Sequence, residues 1–512
     1  MNHRAVAWLL GQIILLLAVF MLVPGLVGAW YREDEVFRGC LYSALVCALL
    51  GGGLAVLFRG ASLTREGRID YFRREGLAVV GLGWLACGAL GALPFLLSGT
   101  MSSFVDGFYE ASSGFTTTGS SILTGLEIDR LPRGIVFWRS FTHWLGGIGI
   151  IIVFVLLFPA GGRSLFRSEV SGISREAARS RVRDSAFGLL RIYVTLTALQ
   201  VGLMYSVHRD LFDCIIHAFG TLATGGFSSH GSSALFFGSW KVEVIITVFM
   251  FVAGINFDIY DTFQRQGARA GWRALTGSTE VRAYTGILVI SSLVIGLSLW
   301  FWGGSNGRAG DSLPDYSRFA LAIRDAFFTV TSVQTSTGFA TNDFDRWPDA
   351  CRFLLVLLMV VGACAGSTGG GLKVVRVVIL LKAAIRSVGR FARPRAIHTV
   401  HFQGRPLDES TVSNVSAYFA LWFTTAIAST FILLALGFHP PAAHAGQRVL
   451  TAATSVIASL NNIGPGLTGV GPAESYSFLP DTAKLLLSFL MILGRLEFAA
   501  LVALLLPRFW RA

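Results

Sequence analysis

The tetrapeptide Thr116-Thr117-Thr118-Gly119 closes the segment Asp106-Gly-Phe-Tyr-Glu-Ala-Ser-Ser-Gly-Phe-Thr-Thr-Thr-Gly119, and three distant segments repeat its layout. They are Asp213-Cys-Ile-Ile-His-Ala-Phe-Gly-Thr-Leu-Ala-Thr-Gly-Gly226, Asp325-Ala-Phe-Phe-Thr-Val-Thr-Ser-Val-Gln-Thr-Ser-Thr-Gly338 and Thr451-Ala-Ala-Thr-Ser-Val-Ile-Ala-Ser-Leu-Asn-Asn-Ile-Gly464. In the first three, Asp stands 13 positions before the final glycine; in the fourth, Thr451 takes that place. Each is a short amphipathic run, then small and hydroxyl residues, then Gly. In a very apolar chain this is the layout of a re-entrant pore loop, used four times.

The 512 residues are 53% hydrophobic and 14% charged, against roughly 25% charged in soluble domains. The deficit indicates a membrane protein, and the 58 glycines fit close helix packing inside a bundle. A formal charge of +12 would suit a nucleic-acid partner. Arg is concentrated between apolar runs, however, as membrane topology requires, so no nucleic-acid binding is expected. The six cysteines (Cys40, Cys47, Cys87, Cys214, Cys351, Cys364) form no C-x-x-C pair and read as packing residues. Neither H-E-x-x-H nor a G-x-S-x-G with triad partners occurs, which argues against a membrane-embedded enzyme.

Spans of about 20 apolar residues are expected at 5–29 and 36–58, then at 77–98 and 135–158, 187–207 and 241–263, 283–303 and 351–380 (interrupted), and 413–437 and 482–506. The first is read as a retained helix and not as a signal peptide. The expected fold is an all-α polytopic membrane protein. Two N-terminal helices (1–70) precede four units of helix, pore loop and helix around one pseudo-fourfold pore: 71–185, 186–282, 283–395 and 396–512. One set of connections holds Arg59, Arg65, Arg68, Arg73 and Arg74, then Arg163, Arg167, Arg175, Arg179, Arg181 and Arg183, then Arg265, Arg269 and Arg273, then Lys373, Arg376, Lys382, Arg386, Arg390, Arg393, Arg395 and Arg405. These and both termini are expected to be cytoplasmic. The opposite set carries the four loops and more acid, including Glu33, Asp34, Glu35, Asp311, Asp343 and Asp345.

A backbone can leave helix geometry at membrane depth only where it is buried or lines water. Four such loops around an axis can offer carbonyls in place of a cation's hydration shell. The candidate ion-binding residues are Thr116, Thr117, Thr118 and Gly119; Ala223, Thr224, Gly225 and Gly226; Thr335, Ser336, Thr337 and Gly338; and Asn461, Asn462, Ile463 and Gly464. None is a carboxylate, which favours a monovalent ion over Ca²⁺ or Mg²⁺. Asp106, Asp213 and Asp325 read as N-caps of the short helices in preference to ion ligands. The simpler explanation, glycines as helix-packing contacts, does not account for four clusters each set between two spans.

The chain resembles the membrane subunit of the Trk/Ktr/HKT potassium-uptake family, nearest its TrkH type. The resemblance covers nearly all of the chain. It is carried by Gly114-Phe-Thr-Thr-Thr-Gly119, Trp144-Leu-Gly-Gly-Ile-Gly149, Ala223-Thr-Gly-Gly-Phe227, Thr337-Gly-Phe339, Cys364-Ala-Gly-Ser-Thr-Gly-Gly-Gly-Leu-Lys373, Leu460-Asn-Asn-Ile-Gly-Pro-Gly466 and Gly494-Arg-Leu-Glu497. It implies one pore per subunit, a homodimer in the bacterial inner membrane, and K⁺ held by carbonyls at and before each filter glycine. Gly119 stands where members favouring Na⁺ tend to have Ser, which implies K⁺. Either Gly225 or Gly226 is the second filter glycine, and spacing from Asp213 favours Gly226. A cytosolic TrkA-like nucleotide-binding ring is the implied partner. No cofactor motif occurs in this chain itself; K⁺ is the cargo.

The run Gly366, Ser367, Thr368, Gly369, Gly370, Gly371 interrupts an apolar span and cannot hold a stable helix. It misses a nucleotide P-loop, because Leu372 precedes Lys373 and Val374 stands where Ser or Thr is required. The resemblance implies a gate beneath the filter. Lys373 reads either as part of that gate or as a side chain reaching the inner surface. Arg495 lies mid-span, and its functional reading is an electrostatic barrier that forms one constriction with the glycine run. Glu497 is expected to face elsewhere. Asp258 and Asp261 are expected to meet Arg273 or Arg282, and His143 to serve packing alone. The competing function is a coupled secondary transporter moving K⁺ with H⁺ or Na⁺ on the same fold.

Overall fold

Apolar sequence with few charges satisfies its backbone by coiling, and helices account for nearly every described element. The computed structural model describes residues 1–60, 73–157, 175–305, 314–392 and 399–510. Arg65, Arg68, Arg163, Arg167, Asp311, Arg393 and Arg395, and the unit boundaries at 70–71 and 395–396, lie outside these. The boundaries drawn at 185–186 and 282–283 fall inside the helices Arg175–His208 and Thr279–Ser305. Their charged first turns continue directly into the apolar spans.

Two long helices open the chain, His3–Trp30 and Asp34–Leu57. They lie close because Gly11 and Gly51 face each other: a Cβ on either would sit 2.8 Å from the other's carbonyl oxygen. One three-part order then recurs four times. A long outer helix leads to a short helix of 12 to 16 residues, and then to an inner helix. The short helices are Phe104–Phe115, Leu211–Leu222, Phe319–Gln334 and Arg448–Leu460. A two-residue ladder, His401–Phe402 against Arg405–Pro406, is the β-structure among the described residues.

Among the described residues, six helices are long and apolar enough to cross a membrane: the opening pair and the outer helix of each unit. The inner helix of the first unit, Arg133–Leu157, is continuous, those of the other three units are interrupted, and two of these breaks differ from expectation. The span expected at 241–263 divides into Trp240–Ala253 and Phe257–Gln266, bent by 87°. Asn256 caps the second piece by accepting from the Asp258 amide at 2.8 Å. The span expected at 482–506 stops at Arg495 and resumes at Ala499, with Glu497 and Phe498 in the left-handed region at φ 49° and 66°. The third unit breaks between Asp349–Val361 and Val374–Ala392, at the glycine run. Breaks at this depth survive only where other protein groups take up the freed amides and carbonyls.

One apolar core joins the opening helices to the first and fourth units through residues such as Met21, Cys40, Trp138, Leu487 and Met491. A second core surrounds the third unit. All six cysteines are free and five are buried, consistent with packing.

Candidate functional site

The four short helices end in the same way. The residues Thr117, Thr224, Ser336 and Asn462 take left-handed φ of 55°, 54°, 59° and 55°. Each donates its amide to the carbonyl three residues back, and the next residue donates five back: Thr118 to Ser113 at 2.9 Å, Gly225 to Gly220 at 2.8 Å, Thr337 to Ser332 at 2.8 Å and Ile463 to Ala458 at 3.0 Å. This is a Schellman C-cap, usually built on glycine. Here it is built on residues with a Cβ, two of them β-branched threonines, a rare and costly conformation. Two residues on, Gly119, Gly226, Gly338 and Gly464 return to positive φ of 83°, 81°, 82° and 93°. Alternating the sign of φ turns successive carbonyls to one side of the strand, and the cap leaves those carbonyls out of the helix ladder.

The loops also meet in sequence order. A Cβ on Gly119 would run into the Gly225 carbonyl oxygen, one on Gly226 into that of Thr337, and one on Gly338 into that of Ile463. A Cβ on Gly464 would lie 2.8 Å from the Thr118 oxygen, which closes the ring. Each glycine therefore abuts the carbonyl just before the next unit's glycine. The pattern selects Gly226 over Gly225: Gly225 keeps an ordinary φ, and its missing Cβ makes room for the His143 ring. Several of the side chains are occupied with one another. Thr116 and Thr118 hydroxyls pair at 2.7 Å, as do Thr335 and Thr337, and Asn462 Nδ2 donates to Thr118 Oγ1 at 2.9 Å. Thr117 Oγ1 and Asn462 Oδ1 are buried without a hydrogen-bond partner, so the oxygens the loops can offer a cation, carbonyl and side-chain alike, are uncharged.

The glycine run of the third unit lies against this ring. The Gly370 amide donates to Ser336 Oγ at 2.5 Å. Cys364 N donates to Gly254 O at 3.1 Å and Phe257 N to Gly366 O at 3.0 Å, so the breaks of the second and third inner helices satisfy each other. Glu280 Oε1 accepts from the Ala365 amide at 2.6 Å. Arg495 reaches the same run: Nη1 donates to Thr368 O at 2.7 Å and Nη2 to Gly146 O at 2.9 Å. Lys373 is buried and left-handed, and its Nζ donates to Gly369 O. Its side chain therefore turns back onto the run.

A family model described as TrkH, a cation transport protein, matches residues 50–509. The chain belongs to the TrkH family. The Trk system potassium uptake protein TrkH of Escherichia coli K12 is 34% identical, aligned over all of both chains. That of Vibrio parahaemolyticus is 33% identical, again over all of both. The crystal structure of the potassium transporter TrkH from V. parahaemolyticus superposes with a TM-score of 0.86 at 31% identity, covering both chains completely. This TrkH-family chain is thus a multi-pass membrane transport protein and not an enzyme.

Several charged residues of the TrkH-family chain sit differently from their sequence reading. Asp106, Asp213 and Asp325 are not N-caps, because the short helices begin earlier than their apolar runs suggest. Ser103 and Asp210 cap the first two, and Arg318 precedes the third without a side-chain cap. The position 13 before the glycine instead ties the helix to the strand leaving the loop. Asp213 accepts from Ser229 Oγ at 2.7 Å, Asp325 from Asn342 Nδ2 at 2.7 Å, and the Thr451 and Thr468 hydroxyls pair at 2.6 Å. In the first unit Asp106 pairs with Lys484 at 2.6 Å. Glu110 makes the tie there, to Ser121 Oγ at 3.0 Å and Ile122 N at 3.2 Å. Asp261 pairs with Arg265 at 2.7 Å in place of Arg273 or Arg282. Glu497 pairs with Arg376, which lies over the Tyr418 ring.

Glu110, Arg139, Glu280 and Asn256 were not singled out from sequence. A signal was present: charged side chains inside or at the edge of apolar runs have to find buried partners. Pairing them needed the fold.

Proposed function

We propose that this chain carries K⁺ across the inner membrane through the ring of loops, with carbonyls of 116–119, 223–226, 335–338 and 461–464 as the selectivity filter. The observation that carries this reading is the closed order in which each left-handed glycine meets the next unit's carbonyl. Uncharged carbonyls can replace the shell of a weakly hydrated monovalent cation, and the negative ends of four short helices point toward the same place. Relatives named as potassium uptake proteins over full length support K⁺ as cargo.

The glycine run and Arg495 serve as the gate. A guanidinium held across the path beneath the filter repels cations, and the loop it holds blocks the way. Opening then requires Thr368 or Gly146 to leave Arg495. The basic faces are cytoplasmic, with both termini, and the chain works as a homodimer with a TrkA-like ring that supplies the opening force. If the two stayed apart on coexpression, the ring partner would be discarded.

The test is ⁸⁶Rb⁺ uptake into K⁺-loaded proteoliposomes, with external K⁺ or Na⁺ as competitor, for the native protein, Arg495→Ala and Gly119→Ser. Uptake that K⁺ but not Na⁺ suppresses, with the preference eroded by Gly119→Ser, is expected. Uptake that needs a proton or Na⁺ gradient would favour coupled transport on the same fold. No flux from either native protein or Arg495→Ala would defeat the pore reading.

A further inference from the structure

In loops two to four, the strand leaving the glycine is tied back through Ser229, Asn342 or Thr468; the basic groups beside those ties, His230 at 3.4 Å from Asp213 and Arg324 at 3.0 Å from Asp325, are themselves partly exposed. The first loop is built differently. Glu110, on the helix Phe104–Phe115, is 0% exposed and pairs with Arg139 Nε at 2.7 Å; Arg139, on the inner helix Arg133–Leu157, is 1% exposed. The carboxylate also accepts from Ser121 Oγ at 3.0 Å and from the Ile122 amide at 3.2 Å, both just beyond Gly119. Arg139 Nη2 donates to Ser121 Oγ at 3.2 Å. A buried ion pair is weak evidence for stability, since an apolar replacement often serves as well. Its presence calls for another explanation.

The second face of the guanidinium supplies one. Arg139 Cζ lies 4.2 Å from the ring centre of Phe227, the residue after Gly226. His143 lies against the same ring at 4.2 Å, and its Nδ1 is 2.8 Å from the Gly114 carbonyl oxygen. The ring and the guanidinium therefore bridge the exit of the first loop to the exit of the second. A planar, always-charged group suits this place: it hydrogen-bonds in its plane and stacks on its face, and Lys can do only the first.

We infer that Glu110 and Arg139 are positioning residues for ion selectivity: through Ser121, Ile122 and Phe227 they lock the first two loops of the ring in register. The inference rests on the filter reading proposed above. Loosening that lock lets two of the four loops move apart, and the ring then accepts a smaller, more strongly hydrated ion.

The experiment uses the purified full-length protein and reads the thermal midpoint in K⁺ and in Na⁺ at equal ionic strength. An ion bound to the folded state raises the midpoint, and this readout needs no open gate. The variants are Glu110→Gln, Arg139→Lys and Phe227→Leu, with Gly119→Ser as reference. Each of the three is expected to cut the K⁺-minus-Na⁺ difference by at least half. A purely structural role would lower both midpoints together and leave the difference intact. Should Glu110→Gln fail to fold, Arg139→Lys keeps the charge and Phe227→Leu keeps the pair, so either decides alone. If Gly119→Ser abolishes the difference and the folded variants retain it, the clamp is wrong and the filter stands. If Gly119→Ser changes nothing, the filter reading falls and the clamp falls with it.

Discussion

The guanidinium of Arg495 joins two units that share no helix: Nη1 holds Thr368 O of the glycine run at 2.7 Å and Nη2 holds Gly146 O of the first inner helix at 2.9 Å. Both acceptors are main-chain carbonyls. Among the described residues no carboxylate hydrogen-bonds the side chain: Glu497, two residues on, is engaged by Arg376. Arg495 is thus held by main-chain carbonyls and not by a direct ion pair, and serves as a cross-strut. On the gate reading proposed above, one residue supplies both a mechanical and an electrostatic obstacle.

Arg495→Ala is expected to raise ⁸⁶Rb⁺ flux in the absence of any regulator. Two hydrogen bonds from a charged donor are lost, each worth about 1.5–3 kcal/mol, so the open population rises by tenfold or more. Arg495→Lys retains charge but cannot span both carbonyls with one ammonium, and its flux should fall between the two. Equal flux from Arg495→Ala and native protein would remove the strut from the mechanism.

Gly225 and Gly226 adjoin in sequence but are constrained by different neighbours. A Cβ on Gly226 strikes the Thr337 carbonyl, part of the proposed filter, and meets a positive φ of 81°. One on Gly225 strikes the ring of His143 first. Gly225→Ala should therefore be rescued by His143→Ala, which vacates the space, and Gly226→Ala should not. Rb⁺ uptake and its block by K⁺ in the two double variants measure this. Equal rescue, or none in either, would contradict the assignment of Gly226 to the ring.

Much of this was legible in sequence, and the limits are physical. The four loops were visible because Gly ends each at matched spacing, and the C-cap geometry that fixes those glycines is local. The break at the glycine run was likewise local. The break at Gly254 and Asn256 was not, since a single glycine seldom ends an apolar helix. What stabilises it is the pairing with Cys364 and Gly366, more than a hundred residues away. Lys373 was open between two readings for the same reason: its acceptor, Gly369 O, exists only once the run is folded. Asp325 looked like a cap because its apolar run seems to begin there, although the helix starts at Phe319.

Glu280 anchors the run from outside by accepting the Ala365 amide at 2.6 Å. A charged acceptor on a backbone amide is worth about 1.5–3 kcal/mol, enough to set how often the segment opens. Glu280→Ala should expose the adjacent Cys364, which is fully buried in the native protein. Site-resolved mass spectrometry after maleimide labelling is the readout, with buried Cys40 as internal reference. A rise at Cys364 with Cys40 unchanged is expected. A parallel rise at both would indicate global unfolding and remove Glu280 as a local anchor.

Ser336 bonds the third loop directly to the glycine run, the gate of the reading proposed above, through its hydroxyl to the Gly370 amide. Removing the hydroxyl strands a buried N–H, at a cost of about 1–3 kcal/mol, and frees the run from the loop that ends at Gly338 while its ties to Gly254, Glu280 and Arg495 remain. Ser336→Ala should raise resting Rb⁺ leak severalfold with its block by K⁺ preserved. Ser336→Thr offers an internal control, since Thr117 and Thr224 hold the same left-handed φ in the first two units. The backbone thus accepts a β-branched residue, the hydroxyl stays, and leak should remain near native. Leak from Ser336→Thr as large as from Ser336→Ala would mean that the strained backbone, and not the hydroxyl, couples the two.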